Sequence, residues 1–211
     1  WRWRKGDQRI TWSISVPEDG LYQLGMRVLK NWGDQLPAYR QIAIDGKVPF
    51  QEVLAHKFSF DRDWRVETIA DKEGEPYLFY LTEGEHELTM TVKMGELNEL
   101  IYSISDNALL LSQVLREIVM ITGNNPDPNY IYDLDEQIPD LLDNFAHLRE
   151  EMEWKVELLT EVSVKRPAAA NNFLTIINQL DKALKNPDRI HRQLKDLETG
   201  QESLGSWYLD I

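Results

Sequence analysis

The hydrophobic pattern of this chain changes its period near residue 97, and that change limits the folds that the chain can adopt. Before residue 97, apolar and polar residues alternate in short runs, as they do in β-strands with one buried face. After residue 97, apolar residues recur at spacings of three and four, as in amphipathic α-helices. Because strands and helices do not alternate along the chain, a parallel α/β sheet is disfavoured. The sequence predicts an α+β protein in which antiparallel strands and helices are segregated.

The first part of the chain predicts about six short strands. Residues 8–16 read QRITWSISV, in which Ile10, Trp12, Ile14 and Val16 share one face. We expect Trp12 on this face to lie in the core, together with Tyr22 of the next strand. Turns rich in Gly, Pro and Asp bound the other candidate strands, which lie within LYQLGMRVL, QIAIDGKVPF, PYLFYL and HELTMTV. These features favour an antiparallel β-sandwich of jelly-roll type.

The second part of the chain predicts about four helices that pack as an antiparallel bundle. Gly123 is placed to stop the first helix, Asn186-Pro187 to start the last one, and Gly200 to end it. Lys155 interrupts one heptad position of the second stripe. The first stripe consists of Ile101, Ile104, Ala108, Leu111, Leu115 and Ile118. The second consists of Ile138, Leu141, Phe145, Leu148, Met152, Leu159 and Val162.

The chain finishes on GSWYLDI, an aromatic and apolar run that resembles a strand more than a helix. A strand at the edge of a bundle would leave its backbone groups unpaired, whereas an open edge of the sandwich would pair them. We therefore expect a discontinuous sandwich formed by residues 1–96 and 204–211, with the helical bundle inserted as residues 97–203.

The net charge of −13 disfavours nucleic acid and anionic lipid as partners. Most of this charge belongs to the predicted bundle, since residues 1–96 carry a net charge of −3 and residues 97–211 one of −10. No apolar run is long enough to cross a bilayer, so we expect no direct membrane insertion. The absence of cysteine excludes disulfides and thiol chemistry, and it is compatible with a cytosolic or a Gram-positive extracellular protein.

The sequence predicts no metal site, no cofactor and no catalytic residues. The four histidines form no HExxH or HxH pair. NNPDPNYIYDLDE offers Asp127, Asn129, Asp133 and Asp135, but it lacks the glycine and terminal glutamate of a calcium loop. Asp61 and Asp63 could be imagined as a glycosidase pair, although ion pairing with nearby arginines or loop capping explains them without catalysis.

Aromatic residues in loops are the remaining candidates for binding. Sugars bind proteins through CH faces that stack on Trp or Tyr, while polar side chains hold the hydroxyl groups. Trp32, Asp34, Tyr39 and Arg40 form such a set in one loop, and Trp64 is a second candidate. The alternative is that these aromatic side chains cover the ends of the sandwich.

Several segments carry a family resemblance. RITWSISVPEDGLYQLGMRVLKN, AIDGKVPF and GEPYLFYLTEGEHELTMTV resemble the galactose-binding-like β-sandwich of carbohydrate-binding modules. Together with IVMITGNNPDPNYIYDLDEQIPDLL and KRPAAANNFLTIINQL, they are similar to the accessory region of large extracellular solute-binding proteins, family 1, of Gram-positive ABC importers.

The resemblance implies a non-enzymatic accessory module of an extracellular, cell-surface lipoprotein. Its implied partners are carbohydrate, the remainder of the parent binding protein and an ABC permease. Carbohydrate binding or substrate presentation is the first hypothesis, and a structural or protein-interaction module without glycan binding is the alternative. A glycoside-active enzyme is the least favoured of the three.

Overall fold

The chain divides into two compact units, Trp1–Leu97 and Asn98–Ile211, which we call the β unit and the helical unit. The computed structural model describes residues 3 and 6–210, and for residues 207–210 it describes the backbone alone. None of the described helices is long and apolar enough to cross a membrane. The predicted segregation of strands and helices is confirmed.

Every strand pair of the β unit is antiparallel, as the alternating pattern predicts. A four-stranded sheet has the order β1-β8-β4-β5, and two further pairs are β2-β7 and β3-β6. The strands are β1 Arg9–Val16, β2 Gly20–Tyr22, β3 Gly25–Val28, β4 Ala38–Ile44, β5 His56–Phe58, β6 Arg65–Thr68, β7 Phe79–Leu81 and β8 Gly84–Lys93. A 3₁₀ helix, Gln51–Val53, lies between β4 and β5.

The core of the β unit comes from the alternating apolar residues of these strands. In the four-stranded sheet Ile10 and Ile42 flank Met90 in register, and Trp12 is paired with Leu88. The fully buried members are Val16, Ile42, Val53, Phe58, Ile69, Phe79, Leu81 and Met90.

The prediction that Trp12 and Tyr22 lie in the core is only half right. Trp12 is 41% exposed because β1 is the edge strand of its sheet, so no strand pairs with β1 on its outer side among the described residues. Tyr22 packs against the core with its ring, while its hydroxyl donates to the carbonyl of Glu18 at 2.7 Å.

The helical unit follows the strands and confirms the predicted bundle. Its helices are α1 Leu97–Thr122, α2 Leu134–Gln137, α3 Leu141–Val162, α4 Ala168–Lys185 and α5 Leu194–Asp210, with a 3₁₀ helix at Pro187–Gln193. Every apolar residue predicted for the second stripe is buried. Gly123, with φ of 72°, follows the end of α1 as expected.

The predicted C-terminal strand at residues 204–211 is wrong, because α5 extends through Asp210, and Ile211 lies outside the described residues. Leu194, Leu197 and Leu204 are all buried, so the helical stripe continues past the point where we expected it to end. A helix pairs its own backbone groups, and the tail needs no sheet edge. The bundle is therefore not an insertion between strands.

The prediction that Gly200 ends a helix is wrong, because α5 continues through it. It lies buried inside α5, and a Cβ atom there would come within 2.8 Å of Gln179 Oε1 and 3.3 Å of Ile176 Cγ1 on α4. The missing side chain thus allows α4 and α5 to pack closely.

Lys155 is buried because it has a carboxylate partner. Its Nζ donates to Glu151 Oε2 at 2.9 Å, one turn earlier on α3. Asn107 of α1 donates to the same oxygen at 3.2 Å. Burial lowers the pKa of Lys155, and the hydrogen bond and the charge of Glu151 oppose that shift. This network joins two helices of the unit through one satisfied charge.

Candidate ligand-binding cleft

The β unit contains an apolar cleft of about 320 Å³ between the four-stranded sheet and β3. We call it the β-unit cleft. Volumes of this size are typical of sites for small ligands. Its lining consists of Trp3, Ile10, Trp12, Leu24, Gly25, Met26, Arg27, Val28, Leu29, Lys30, Ala38, Arg40, Phe58, Leu88 and Met90.

The alternation of three strands explains why the cleft is apolar. Trp12 and Leu88 are paired across β1 and β8, and Met90 follows two residues later on the same face. Because β1 is an edge strand, Trp12 lies partly exposed while it still lines the cleft. An exposed indole on a concave apolar surface is a geometry that can stack against a planar or ring-shaped ligand.

Two aromatic rings of the cleft region carry cations above them. The guanidinium carbon of Arg40 lies 4.6 Å from the centroid of the Trp3 ring. That of Arg27 lies 5.1 Å from the Trp64 ring. These contacts stabilise the cations without neutralising them.

The side chains of Arg40 and Lys30 also donate hydrogen bonds to backbone carbonyl groups. Arg40 donates from Nη1 to the carbonyl oxygen of Tyr39 at 2.6 Å. Lys30 donates from Nζ to the carbonyl oxygen of Trp32 and lies 5.8 Å from the ring of Phe60. Neutral carbonyl groups are therefore the acceptors for both side chains.

The environment of Lys30 and Arg40 disfavours their charges. Burial lowers the pKa of Lys30, and the positive charge of Arg40 lowers it further. Burial lowers the pKa of Arg40 to about 10. At neutral pH Arg40 therefore stays charged in a place where its charge is poorly solvated.

The structure separates the five residues that the sequence proposed as a site. Arg40 lines the cleft, whereas Trp32 and Trp64 do not and are 80% and 57% exposed. Trp32 contacts the lining residue Lys30, and Trp64 contacts the lining residue Arg27. Asp34 is exposed in the loop before β4 with φ of 42°. A ligand role for these loop residues stays a prediction.

Tyr39 faces away from the cleft, because neighbours on a strand point to opposite faces. Its ring is 3% exposed, and its hydroxyl donates to Glu96 Oε2 at 3.0 Å. Burial raises its pKa, and Glu96 raises it further by charge and hydrogen bonding. So little of the ring is accessible that we leave Tyr39 out of the candidate site.

Sequence reasoning missed Trp3 and Trp12. The alternation of β1 correctly placed Trp12 on the inner face, but it could not show that β1 is an edge strand. Trp3 precedes the first strand, and no periodicity applies to it. That both residues line one cleft depends on the tertiary structure.

The residues considered for metal or acid–base chemistry have local structural roles. Among the described residues no group of three or more His, Cys, Asp or Glu side chains could hold a metal ion. Asp61 accepts a hydrogen bond from the backbone N–H of Asp63 at 3.1 Å and lies 3.8 Å from Arg65. Asp127 accepts one from the backbone N–H of Asn129 at 2.9 Å. Both are turn-stabilising contacts.

A family model described as "Bacterial solute-binding protein, 4-helix bundle domain" matches residues 96–210. This match covers more than half of the 211 residues and nearly the whole helical unit. The family consists of binding proteins and not of enzymes. A search of curated proteins found no match.

Among solved structures, the chain is similar to a Paenibacillus sp. cycloisomaltooligosaccharide glucanotransferase complexed with cycloisomaltoheptaose. The identity is 27%, and the alignment covers 41% of this chain and 11% of the glucanotransferase, with a TM-score of 0.33. The aligned part is thus a small share of that enzyme. At this TM-score the likeness carries no argument about fold or ligand.

Proposed function

Because the chain belongs to the bacterial solute-binding proteins with a 4-helix bundle domain, we propose that its β unit is a non-catalytic accessory module that binds carbohydrate. Family membership implies a transport-associated binding role. The solute itself and the use of the β-unit cleft are parts of the proposal.

The observation that carries the proposal is the position of Trp12. Its indole is 41% exposed and lines an apolar cleft of about 320 Å³ that Trp3 also lines. Exposed tryptophan costs free energy in water, and a ligand whose CH faces stack on the ring removes that cost. Arg40 and Lys30 at the same cleft supply donors for hydroxyl oxygens.

We place the module in an extracytoplasmic binding lipoprotein of a Gram-positive bacterium, where it would capture or present saccharide to the transport domain of the same protein and to an ABC permease. The family supports the transport context. The sandwich motifs and the aromatic cleft support carbohydrate as the ligand class.

Calorimetric titration of the full chain with a panel of neutral and acidic oligosaccharides tests this function. We expect Trp12→Ala to weaken binding at least about tenfold, since aromatic anchors dominate binding energies. Trp32→Ala is the matched control, because Trp32 is a tryptophan of the same unit outside the cleft lining.

Two results would contradict the proposal in different ways. If no saccharide of the panel binds the full chain, carbohydrate binding is wrong. If Trp32→Ala abolishes binding and Trp12→Ala does not, the ligand occupies the loop that the sequence first indicated and not the cleft.

A protein-interaction module is the second candidate, and an exposed line of apolar residues on α1 favours it. Tyr102, Leu109 and Met120 are 67%, 67% and 78% exposed. Leu109 and Met120 follow Tyr102 by seven and eighteen residues, which correspond to about two and five helical turns, so the three side chains share one side of the helix. Exposed apolar lines of this kind are typical of surfaces that contact another protein.

Sedimentation velocity of the full chain at several concentrations tests this candidate. Self-association that Leu109→Glu abolishes would support it. A monomer at all concentrations that also fails to cross-link with its permease would remove its support.

A further inference from the structure

The β-unit cleft is lined by three cations that no carboxylate of the described residues neutralises. Arg27, Lys30 and Arg40 line it, and the lining includes neither Asp nor Glu. Within the described residues none of the three forms an ion pair. Their contacts are aromatic rings and backbone carbonyl groups.

This arrangement is unusual in a chain with 36 acidic and 23 basic residues. Elsewhere in the described part, two partly buried arginines have carboxylates beside them: Arg65 lies 2.6 Å from Glu67, and Arg149 2.6 Å from Asp181. The protein is rich in carboxylates, yet none belongs to the described lining of the cleft. A cleft of this kind is complementary to an anion that comes from outside.

Lys30 and Arg40 line the same cleft, and the pKa of Lys30 is lowered first by burial and then by the positive charge of Arg40. Both are half-buried, so water screens the repulsion incompletely. An anion between them would relieve the repulsion and the poor solvation together.

Resting on the function proposed above, we propose that the ligand is an acidic saccharide whose carboxylate contacts Arg40 and Lys30 while its ring stacks on Trp12. The planar guanidinium group suits a planar carboxylate, since two parallel N–H···O bonds can form. Only part of the Arg40 donor set is used by the carbonyl of Tyr39. Uronic acid units of oligosaccharides combine the required ring and charge.

Titration with matched ligand pairs tests the proposal. The probes are trisaccharides of galacturonate, glucuronate and mannuronate, each compared with its methyl ester, which keeps the sugar and removes the charge. We expect at least one acid to bind at least about tenfold more tightly than its ester, because hydrogen bonds between charged groups are the stronger ones. Octanoate, a carboxylate without a sugar ring, and galactose 1-phosphate complete the set.

Variants of the full chain locate the charge effect. Arg40→Gln and Lys30→Gln should each weaken the acid about tenfold and change the ester less than about twofold. Lys47→Gln is the matched control, because Lys47 is an exposed lysine of the same unit outside the cleft. Circular dichroism verifies that each variant is folded.

Each outcome decides between distinct alternatives. Equal affinities for acid and ester, both lost in Trp12→Ala, would overturn the acidic ligand and leave carbohydrate binding in place. Octanoate or the sugar phosphate binding more tightly than every uronate would overturn the acidic saccharide in favour of another anion. If no sugar of either kind binds, both proposals fail together.

Discussion

Lys155 in the helical unit and Arg40 in the β unit differ both in how deeply they are buried and in whether a carboxylate lies beside them. Lys155 has no exposed surface and an ion pair with Glu151 at 2.9 Å. Arg40 is half-buried beside Trp3, and its one hydrogen-bond acceptor among the described residues is a carbonyl group. The first cation is part of a completed network, while the second lines a cleft and uses only part of its donor set among the described residues.

This difference separates a charge that serves the fold from one that serves a ligand. A buried charge without a counterion weakens the folded state, so a satisfied pair inside a bundle is explained by stability and specificity of packing. An unpaired cation on a concave surface has no such structural explanation. The comparison predicts that substitutions at the two sites change different properties of the protein.

The largest effect is expected for Glu151→Ala. It leaves Lys155 buried without its partner, and we expect the free energy of unfolding to fall by about 3 kcal/mol. Urea denaturation followed at 222 nm measures the change. Glu150→Ala, an exposed glutamate one position away, should stay within about 0.5 kcal/mol of the parent.

If Glu151→Ala costs no more stability than Glu150→Ala, the carboxylate is not needed to bury Lys155, and the contrast with Arg40 fails. The double variant Glu151→Ala, Lys155→Met should regain most of the lost stability, because an apolar residue replaces the unpaired charge.

Gly95→Ala should give the next largest loss and compares the two faces of β4. Gly95 has φ of 55°, and an added Cβ would overlap the ring of Tyr39, on the face opposite the cleft. We expect a loss of about 2 kcal/mol from strain and overlap together. Gly74→Ala is the control, since Gly74 has φ of 90° with nothing within 4 Å of the added atom.

Gly74→Ala should show the backbone strain alone, about 1 kcal/mol. Chemical denaturation with a probe of the β unit measures both variants. Equal losses would mean that Tyr39 yields without cost and that this face is no more tightly packed than the cleft face.

Arg40→Met should change stability little, in contrast to Glu151→Ala. The substitution removes a poorly solvated charge and keeps most of the apolar stem, so we expect the free energy of unfolding to remain equal or to rise by less than about 1 kcal/mol. The same denaturation experiment measures it. A loss as large as that of Glu151→Ala would make Arg40 a structural residue and weaken the case for the cleft.

The smallest effect concerns His86 on β8, whose pair with Asp45 is a partly exposed counterpart of the buried Lys155 pair. Its Nδ1 lies 2.6 Å from Asp45 Oδ2 and its Nε2 2.9 Å from the carbonyl of Thr82, so both ring nitrogens face acceptors. The hydrogen bond to Asp45, followed by that to Thr82, raises the pKa of His86. Protonated His86 is therefore favoured in the folded state.

The stabilisation from His86 is fully present below the unfolded-state pKa of about 6.5 and is lost as the pH rises through the raised pKa of the folded state. We expect a small fall in stability between these pH values, because half of the Asp45 side chain is exposed to water. The fall should be smaller still in Asp45→Asn, which keeps the hydrogen bond to Thr82. Histidine resonances titrated by NMR measure the pKa directly. A pKa at or below the ordinary value would contradict the prediction.

The stripe of α3 shows how much the sequence could predict. Its apolar residues follow one helical period, and even the interrupting Lys155 turned out to be buried on the same face. The tail shows what it could not predict. Trp207, Tyr208 and Leu209 resemble a strand by local preference, but continuation of the stripe from Leu194 to Leu204 made the segment a helix.

The candidate site was predictable only in part. Arg40 was named from its loop, but Trp3 and Trp12 were not, because strand periodicity tells which face a residue occupies and not whether a neighbouring strand covers it. The sequence indicated an aromatic and cationic site in the β unit. The cleft that brings those side chains together depends on strand order.

By itself, the sequence determined the two kinds of secondary structure, their order along the chain and the buried faces of the helices, because hydrophobic periodicity is a property of neighbouring residues. Only the tertiary structure decided that β1 is an edge strand, that Gly200 is a helix contact and that three cations share one cleft without a carboxylate. Those features depend on pairing between residues far apart in the chain, and no local pattern records such pairing.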